Sequence, residues 1–280
     1  MSEFEFIFMA DCQLGAYATF SGMSDDDVSG FAAKDMRVEV VPFVEGFEWD
    51  SARYREAIRA ANHMRPDFVV MGGDMVDDPG DEAQLEEVLR ITAGLDPDIP
   101  MRWVPGNHDM GADTVVPTAA SIDDYRQAFG PDYYAFDYGP VRFVVMNTVV
   151  LDHPEEVPDE LSEQFDFLTA TLDGAANDGQ TVVLLGHHPL FLIDPTEDDC
   201  YWNLPLERRR PILDLIDKHR VPLGLAGHWH RNSIAHHGEF EMVTTGAVGY
   251  PLGKDPSGFR IVTLDRGRFS HEYVPLEGLS

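Results

Sequence analysis

Five short apolar runs, each ending in a loop of oxygen and imidazole donors, constrain this chain more than any other feature of it. The runs cover residues 4–10, 68–71, 101–104, 182–185 and 223–226, are rich in Val, Leu, Phe and Met, and give way to Gly, Pro or polar loops. That pattern reads as buried strands ending in tight loops. The loops carry Asp11-Cys12-Gln13, Gly73-Asp74-Met75-Val76-Asp77, Gly106-Asn107-His108-Asp109, Gly186-His187-His188 and Gly227-His228-Trp229-His230. Strands through one core bring such segments to a single edge, where ligands bind in open α/β sheets. Asp, Asp, Asn and three His collected there imply a centre for two metal ions. Asp74 is the candidate bridge, because the two glycines before it let the backbone turn sharply toward the cations.

These loops resemble the calcineurin-like metallophosphoesterase family, whose pattern is D-x-H, G-D-x-x-D, G-N-H-D/E, a lone His and G-H-x-H. Four of the five elements are intact and in order; the first departs, with Gln13 where the family usually has His. A smaller branch also carries D-x-Q. The likeness to that branch extends to residues 10–15, 106–111, 188–204, 227–232 and 247–258, and so to nearly the whole chain. The resemblance implies an α/β fold, a four-layer sandwich of two mixed β-sheets flanked by helices. The order of elements alone leaves a doubly wound single sheet open.

Residue by residue, the resemblance implies a first metal held by Asp11, Gln13, Asp74 and His230, and a second by Asp74, Asn107, His187 and His228. It implies His108 as general acid or electrostatic stabiliser, with Asp77 orienting it, since a carboxylate behind an imidazole fixes its tautomer. Spacing from Asp74 favours Asp77 over Asp78 in that role. Asn107 and Arg231 are the candidates to touch substrate, Arg231 by bidentate contact with phosphate. The cofactors are two divalent metal ions; mixed O and N donors without thiolate suit Mn, Fe, Zn or Mg without choosing among them. The implied activity is phosphomonoester hydrolysis by metal-bound hydroxide, with a phosphoprotein of the Ser/Thr type or a small phosphorylated metabolite as substrate. A phosphodiesterase acting on cyclic or other nucleotides is the alternative within the family. A non-catalytic metal-binding scaffold is the alternative of another class: Gln13 motivates it, and the retained His108 and Asp77 oppose it.

Composition narrows the partners. Formal net charge is −30 with pI about 4.4, which argues against a nucleic-acid polymer or an anionic membrane surface. With three lysines in 280 residues, the surface reads as strongly acidic, solvated and suited to high salt. Two cysteines give no disulfide framework. Alternation turns Cys12 away from Asp11 and Gln13, into the core. The N-terminus has no basic region and no apolar stretch of signal length, and no run reaches the ~20 apolar residues that span a bilayer. The expectation is a cytoplasmic protein. Ligand segments spread over residues 11–230 favour a single domain over residues 1–280, with an irregular insertion at about 21–50.

Amphipathic helices are expected between the strands. Asp50 caps one through about Met64. A second covers residues 81–93, and Ser121-Ile122-Asp123-Asp124 opens a third that stops at Gly130-Pro131. Leu161, Phe165, Leu168 and Leu172 mark a fourth, and Pro211 sits in the first turn of a fifth. Residues 239–244, 258–264 and 268–274 alternate like strands of an antiparallel sheet. Among the remaining polar residues, Asp109 reads as a loop acceptor and Arg208-Arg209-Arg210 as an exposed helix start. Residues 194–203, with Tyr201 and Trp202, read as a rim to the site.

Overall fold

The computed structural model describes residues 3–33, 36–111 and 116–277. Strand β1 (Phe4–Met9) is nearly all buried. Phe4, Phe6 and Phe8 face one side and Ile7 and Met9 the other, as the two-residue period of a strand requires. Both sides are covered, so the strand reads as a continuous apolar run. β1 is the middle of a five-stranded sheet. On one side lie β2 (Phe68–Met71) and β3 (Met101–Trp103), parallel to it; on the other lie β10 (Gly258–Asp265) and β11 (Arg268–Pro275), joined antiparallel.

A second sheet has six strands. In spatial order they are β4 (Tyr134–Tyr138), β5 (Val141–Val145), β6 (Thr181–Leu185), β7 (Leu223–Ala226), β9 (Phe240–Thr244) and β8 (Ser233–His237). The four inner strands are parallel and the two edges antiparallel. The sheets meet through an aromatic layer in which Phe6 stacks on Phe68 with ring centroids 4.8 Å apart and meets Phe143 edge-on at 5.3 Å. Each such buried ring contributes roughly 1.5–3 kcal/mol. Helices α3 (Glu48–Met64), α4 (Glu82–Thr92) and α5 (Ala119–Phe129) cover the outer face of the first sheet through Tyr54, Ile58, Val88, Ile91, Ile122 and Tyr125. Helices α7 (Pro158–Asp178) and α8 (Leu206–His219) cover the second through Leu168, Leu172, Ile212 and Ile216. The result is the four-layer sandwich.

Several local expectations are corrected. The hairpin of β4 and β5, turning at Gly139-Pro140, and the edge strand β8 are additional to the expected strands. Residues 240–244 join the second sheet while β10 and β11 join the first, because β9 pairs with β7 and β8. Helix α3 starts at Glu48 after Phe47, and Asp50 is turned away from its own helix. Its carboxylate accepts from Gly15 N and Tyr17 N instead, at 3.0 and 3.3 Å, so it caps the short helix α1 (Ala16–Thr19) across the fold. The capping box of α5 is Thr118 with Ser121, so the helix starts three residues earlier than expected. Pro211 lies inside α8, which begins at Leu206 after Pro205; it forgoes only the bond to the Glu207 carbonyl. The stretch at 21–50 is less irregular than its composition suggests. It contains α2 (Asp25–Ala32), opened by a Ser24–Asp27 capping box, and its Phe31 and Val38 pack in one cluster with Tyr250 and Leu252. Among the described residues no helix is long and apolar enough to cross a membrane.

Candidate metal centre

Because β1, β2 and β3 run parallel, as do β6 and β7, their C-terminal ends and the loops that follow gather at one edge of the sandwich. The first two loops are laced together. Asp11 N donates to Gly73 O, Gln13 N to Asp74 O, Leu14 N to Met75 O and Asp77 N to Leu14 O, at 2.9–3.1 Å. The last loop joins them, with His228 N 3.0 Å from Asp11 Oδ1 and Gly227 N 3.0 Å from His187 O.

The donors fall into two groups. Asp11, Asp74 and His230 bring ligand atoms within 4.8 Å of one another, and so do Asp74, His187 and His228; all are buried and Asp74 belongs to both. Gln13 and Asn107 stand beside them. Gln13 is 4% exposed and its Oε1 has no hydrogen-bond partner. Asn107 Oδ1 lies 3.1 Å from His187 Nε2, which is itself 3.0 Å from Asp74 Oδ2. Buried carboxylates, imidazoles and an unpartnered amide oxygen converging without thiolate fit divalent cations. Five of the seven nominated ligands fall in the two groups, Asn107 reaches His187, and Gln13 is tied to them by its backbone bond to Asp74 O.

The backbone is bent to do this. Asp11 (φ 54), Gln13 (φ 32), Asp74 (φ 52), His228 (φ 68) and His230 (φ 52) all occupy the left-handed region, which costs a non-glycine residue about 1–3 kcal/mol. Elsewhere Arg65 and Arg220 do so as helix C-caps and Arg266 in the turn between β10 and β11. Gly106 makes the closest approach: a Cβ there would stand 2.1 Å from Asp74 Oδ1. A Cβ on Gly73 would strike the His187 ring at 2.5 Å.

Main-chain carbonyls orient the three imidazoles. His187 Nδ1 contacts Gly72 O at 2.8 Å, His228 Nε2 contacts Tyr201 O at 2.8 Å, and His230 Nδ1 contacts Tyr250 O at 2.6 Å. A carbonyl only accepts, so each contacting nitrogen carries the proton and the other ring nitrogen is the one able to ligate. The charges are strongly split. Burial alone would raise the Asp74 carboxyl, but His187 and His108 beside it hold it well below the usual carboxylate range. Burial alone would lower His187, yet Asp74 outweighs it and lifts the imidazole to about 9. His228 is pushed down to about 3 by burial and by His187.

Other nominated residues take less expected places. His108 Nδ1 donates to the main-chain carbonyl of Asp77 at 2.8 Å, while the Asp77 carboxylate is 3.7 Å away. The expected His108–Asp77 pair thus forms chiefly through the backbone, because the Asp77 carboxylate faces Gln13 and Thr19. Asp78 stays outside, accepting from Gly80 N in a turn. Arg231 donates through Nε to Leu252 O at 3.1 Å and lies over the Trp229 ring, so part of its fork is committed at the rim. Asp109 is a loop acceptor, taking Gly106 N, Asp74 N and Met75 N at 2.8 Å each. Cys12 is fully buried in the core.

Sequence reasoning missed the shell around the ligands. Arg209, expected to be exposed, is fully buried; it bonds the carbonyls of Leu190 and Glu197. Glu197 turns inward and accepts from Leu192 N, Ile193 N, Asp194 N and Asn203 Nδ2. That knot shapes the loop whose Tyr201 carbonyl holds His228 and whose Tyr201 and Trp202 rings flank it at 4.9 and 5.4 Å. His188 supports the same imidazole from behind, with ring centroids 4.2 Å apart. An Arg amid a basic triplet and main-chain carbonyls leave no sequence signal for these roles.

The profile of the calcineurin-like phosphoesterase family matches residues 5–232, the span that carries every donor above. The chain belongs to the calcineurin-like phosphoesterase family. It is a hydrolase, a metallophosphoesterase, of a family that uses a dinuclear divalent metal centre. It is 32% identical over 245 residues to human serine/threonine-protein phosphatase CPPED1, covering 84% of this chain and 77% of that protein. The bovine CPPED1 is 33% identical over 244 residues, with the same coverage. Among solved structures, a dimetal phosphatase from Danio rerio superposes with TM-score 0.64 at 17% identity, covering 98% of this chain and 96% of that one. Purple acid phosphatase from yellow lupin gives 0.66 at 17% identity over all of this chain and 52% of its own. The fold of the calcineurin-like phosphoesterases is thus this chain's fold.

Proposed function

We propose that this metallophosphoesterase is a dinuclear phosphatase acting on phosphomonoesters, with Asp11, Gln13, Asp74 and His230 holding one cation and Asp74, Asn107, His187 and His228 the other. The observation that carries the reading is the pair of buried donor groups that share Asp74. When bound, two divalent cations supply charge to clamp a phosphoryl group and to acidify water. The chain's residues do the rest. Asp74, with two oxygens at the junction of the two groups, fixes the spacing between them. His108 is held by the Asp77 carbonyl at Nδ1, which leaves Nε2 as the nitrogen to carry a proton toward the leaving-group oxygen. Asn107 and Arg231 flank the position of the phosphoryl group. The loop around Tyr201 and Trp202 gives the entrance one aromatic wall.

A phosphorylated Ser or Thr side chain is the proposed substrate class, supported by the serine/threonine-protein phosphatase relatives. The deciding experiment compares metal-loaded enzyme on para-nitrophenyl phosphate, on bis(para-nitrophenyl) phosphate and on phosphoserine and phosphothreonine peptides. Monoester and peptide turnover above that of the diester, abolished by chelation and restored by Mn²⁺, is the expected result. Preferential hydrolysis of the diester replaces this reading with a phosphodiesterase, and turnover indifferent to chelation removes the metal mechanism altogether.

A further inference from the structure

Gln13 offers a metal only one useful end of its amide, and its neighbours decide which end that is. Its Nε2 lies 3.0 Å from Asp77 Oδ1. A carboxylate only accepts hydrogen bonds, so the NH2 must face Asp77 and Oε1 must face away from it, where it is buried and unpartnered. The other carboxylate oxygen of Asp77 accepts from Thr19 Oγ1 at 2.6 Å. Both side chains stand on the laced pair of loops, with Gln13 N bonded to Asp74 O and Asp77 N to Leu14 O. Gln84 Oε1 clamps the far side, accepting from Asp77 N at 2.9 Å and Asp78 N at 3.0 Å.

We propose that Asp77, steadied by Thr19, is the positioning residue for Gln13, fixing its amide so that Oε1 is presented to the first cation. The inference rests on the reading of Asp11, Gln13, Asp74 and His230 as a cation site. An amide without that acceptor is free to turn its NH2 inward, and an NH2 has no lone pair to give a cation. Gln in place of His therefore brings a need for an orienting acceptor, and the second Asp of the G-D-x-x-D segment meets it here.

Calorimetric titration of metal-free protein with Mn²⁺ tests the proposal without reference to turnover. Two binding events are expected in the wild type. Asp77→Ala should weaken one event by about 10–100-fold and leave the other within about 2-fold, the usual range for an outer partner of a ligand. In a Gln13→Ala background the same substitution should add no further loss, since residues acting through one contact are not additive. Thr19→Val should weaken the same event less, and Thr19→Ser should restore it. Equal weakening of both events, no weakening, or an additive loss in the double variant overturns the positioning role. If Asp77→Ala does not fold, the Thr19 pair decides: indifference to Thr19→Val overturns the proposal. Uptake of fewer than two ions by the wild type is a different failure, because it removes the dinuclear reading itself.

Discussion

Most of the ligand positions combine a donor with a backbone that resists it. Five of the nominated ligands hold left-handed φ values, a local cost that the surrounding bonds must outweigh. Asp74 is the residue with the most depending on it: its carboxylate meets His187, its oxygen accepts from His108 N at 2.9 Å, and its own N is held by Asp109. Asp74→Asn keeps the shape and removes charge from both donor groups together. Metal analysis of that variant should show both ions weakened; two ions retained at wild-type affinity would remove Asp74 from the bridging position. His108 is different, since its ring contacts the Asp77 carbonyl and lies outside both donor groups. His108→Ala should keep both ions and lower kcat by about 10²–10⁴-fold on a poor leaving group such as an alkyl phosphate. Nitrophenolate needs less protonation and should suffer less. Equal losses on the two substrates, measured at saturation, rule out proton donation.

At the scale of elements, two buried charged groups tie segments together. Arg209 on α8 reaches the carbonyls of Leu190 and Glu197 and so shapes the loop over His228. Removing it leaves those carbonyls and the Glu197 carboxylate without a cation. Arg209→Met should cost roughly 3 kcal/mol in urea denaturation, and a change below the error of the fit contradicts the buried knot. Asp50 ties α3 to the N-terminus of α1, and burial raises its carboxyl to about 7 in the folded protein. A folded value above the ordinary 3.8 means the folded state binds the extra proton. Its contribution to stability is therefore fully present below about pH 4 and is lost as pH rises toward 7, by up to about 1.4 kcal/mol per pH unit. Asp50→Asn removes the titration while keeping an acceptor for Gly15 N. Melting of metal-free protein between pH 5 and 8 should be flatter in the variant; parallel profiles would show that Asp50 does not titrate there.

Over the whole molecule the net charge of −30 dominates long-range electrostatics. Self-repulsion of that size opposes the compact state, and salt shortens its reach from about 10 Å at 0.1 M to about 3 Å at 1 M. The melting temperature should rise as KCl is raised over that range in metal-free protein. A falling melting temperature would mean that ion pairs such as Arg126 with Asp132 and Glu160 outweigh the repulsion. The same field slows anionic substrates unless local positive charge offsets it.

The sequence by itself determined the strands that carry the donors, because a strand buried on both faces must be apolar throughout, and 68–71 and 223–226 are apolar from end to end. It also determined the order of donor types, since Asp74 after two glycines and His228 and His230 around Trp229 are legible as they stand. The edges of the fold were less legible: Tyr134–Tyr138 and Ser233–His237 are half-buried strands whose partners, not their periodicity, hold them in place. Only the tertiary structure decided what each polar side chain meets. Arg209 and Arg210 are identical in type and adjacent in sequence, yet one is fully buried on two carbonyls and the other exposed. Asp50 caps a helix that begins 34 residues before it, and Asp77 turns its carboxylate to Gln13, 64 residues away, rather than to His108. Hydrogen bonds are directional and short, so their partners depend on ångström placement that chain-level pattern does not encode. Apolar burial depends on area and alternation, which the sequence carries directly.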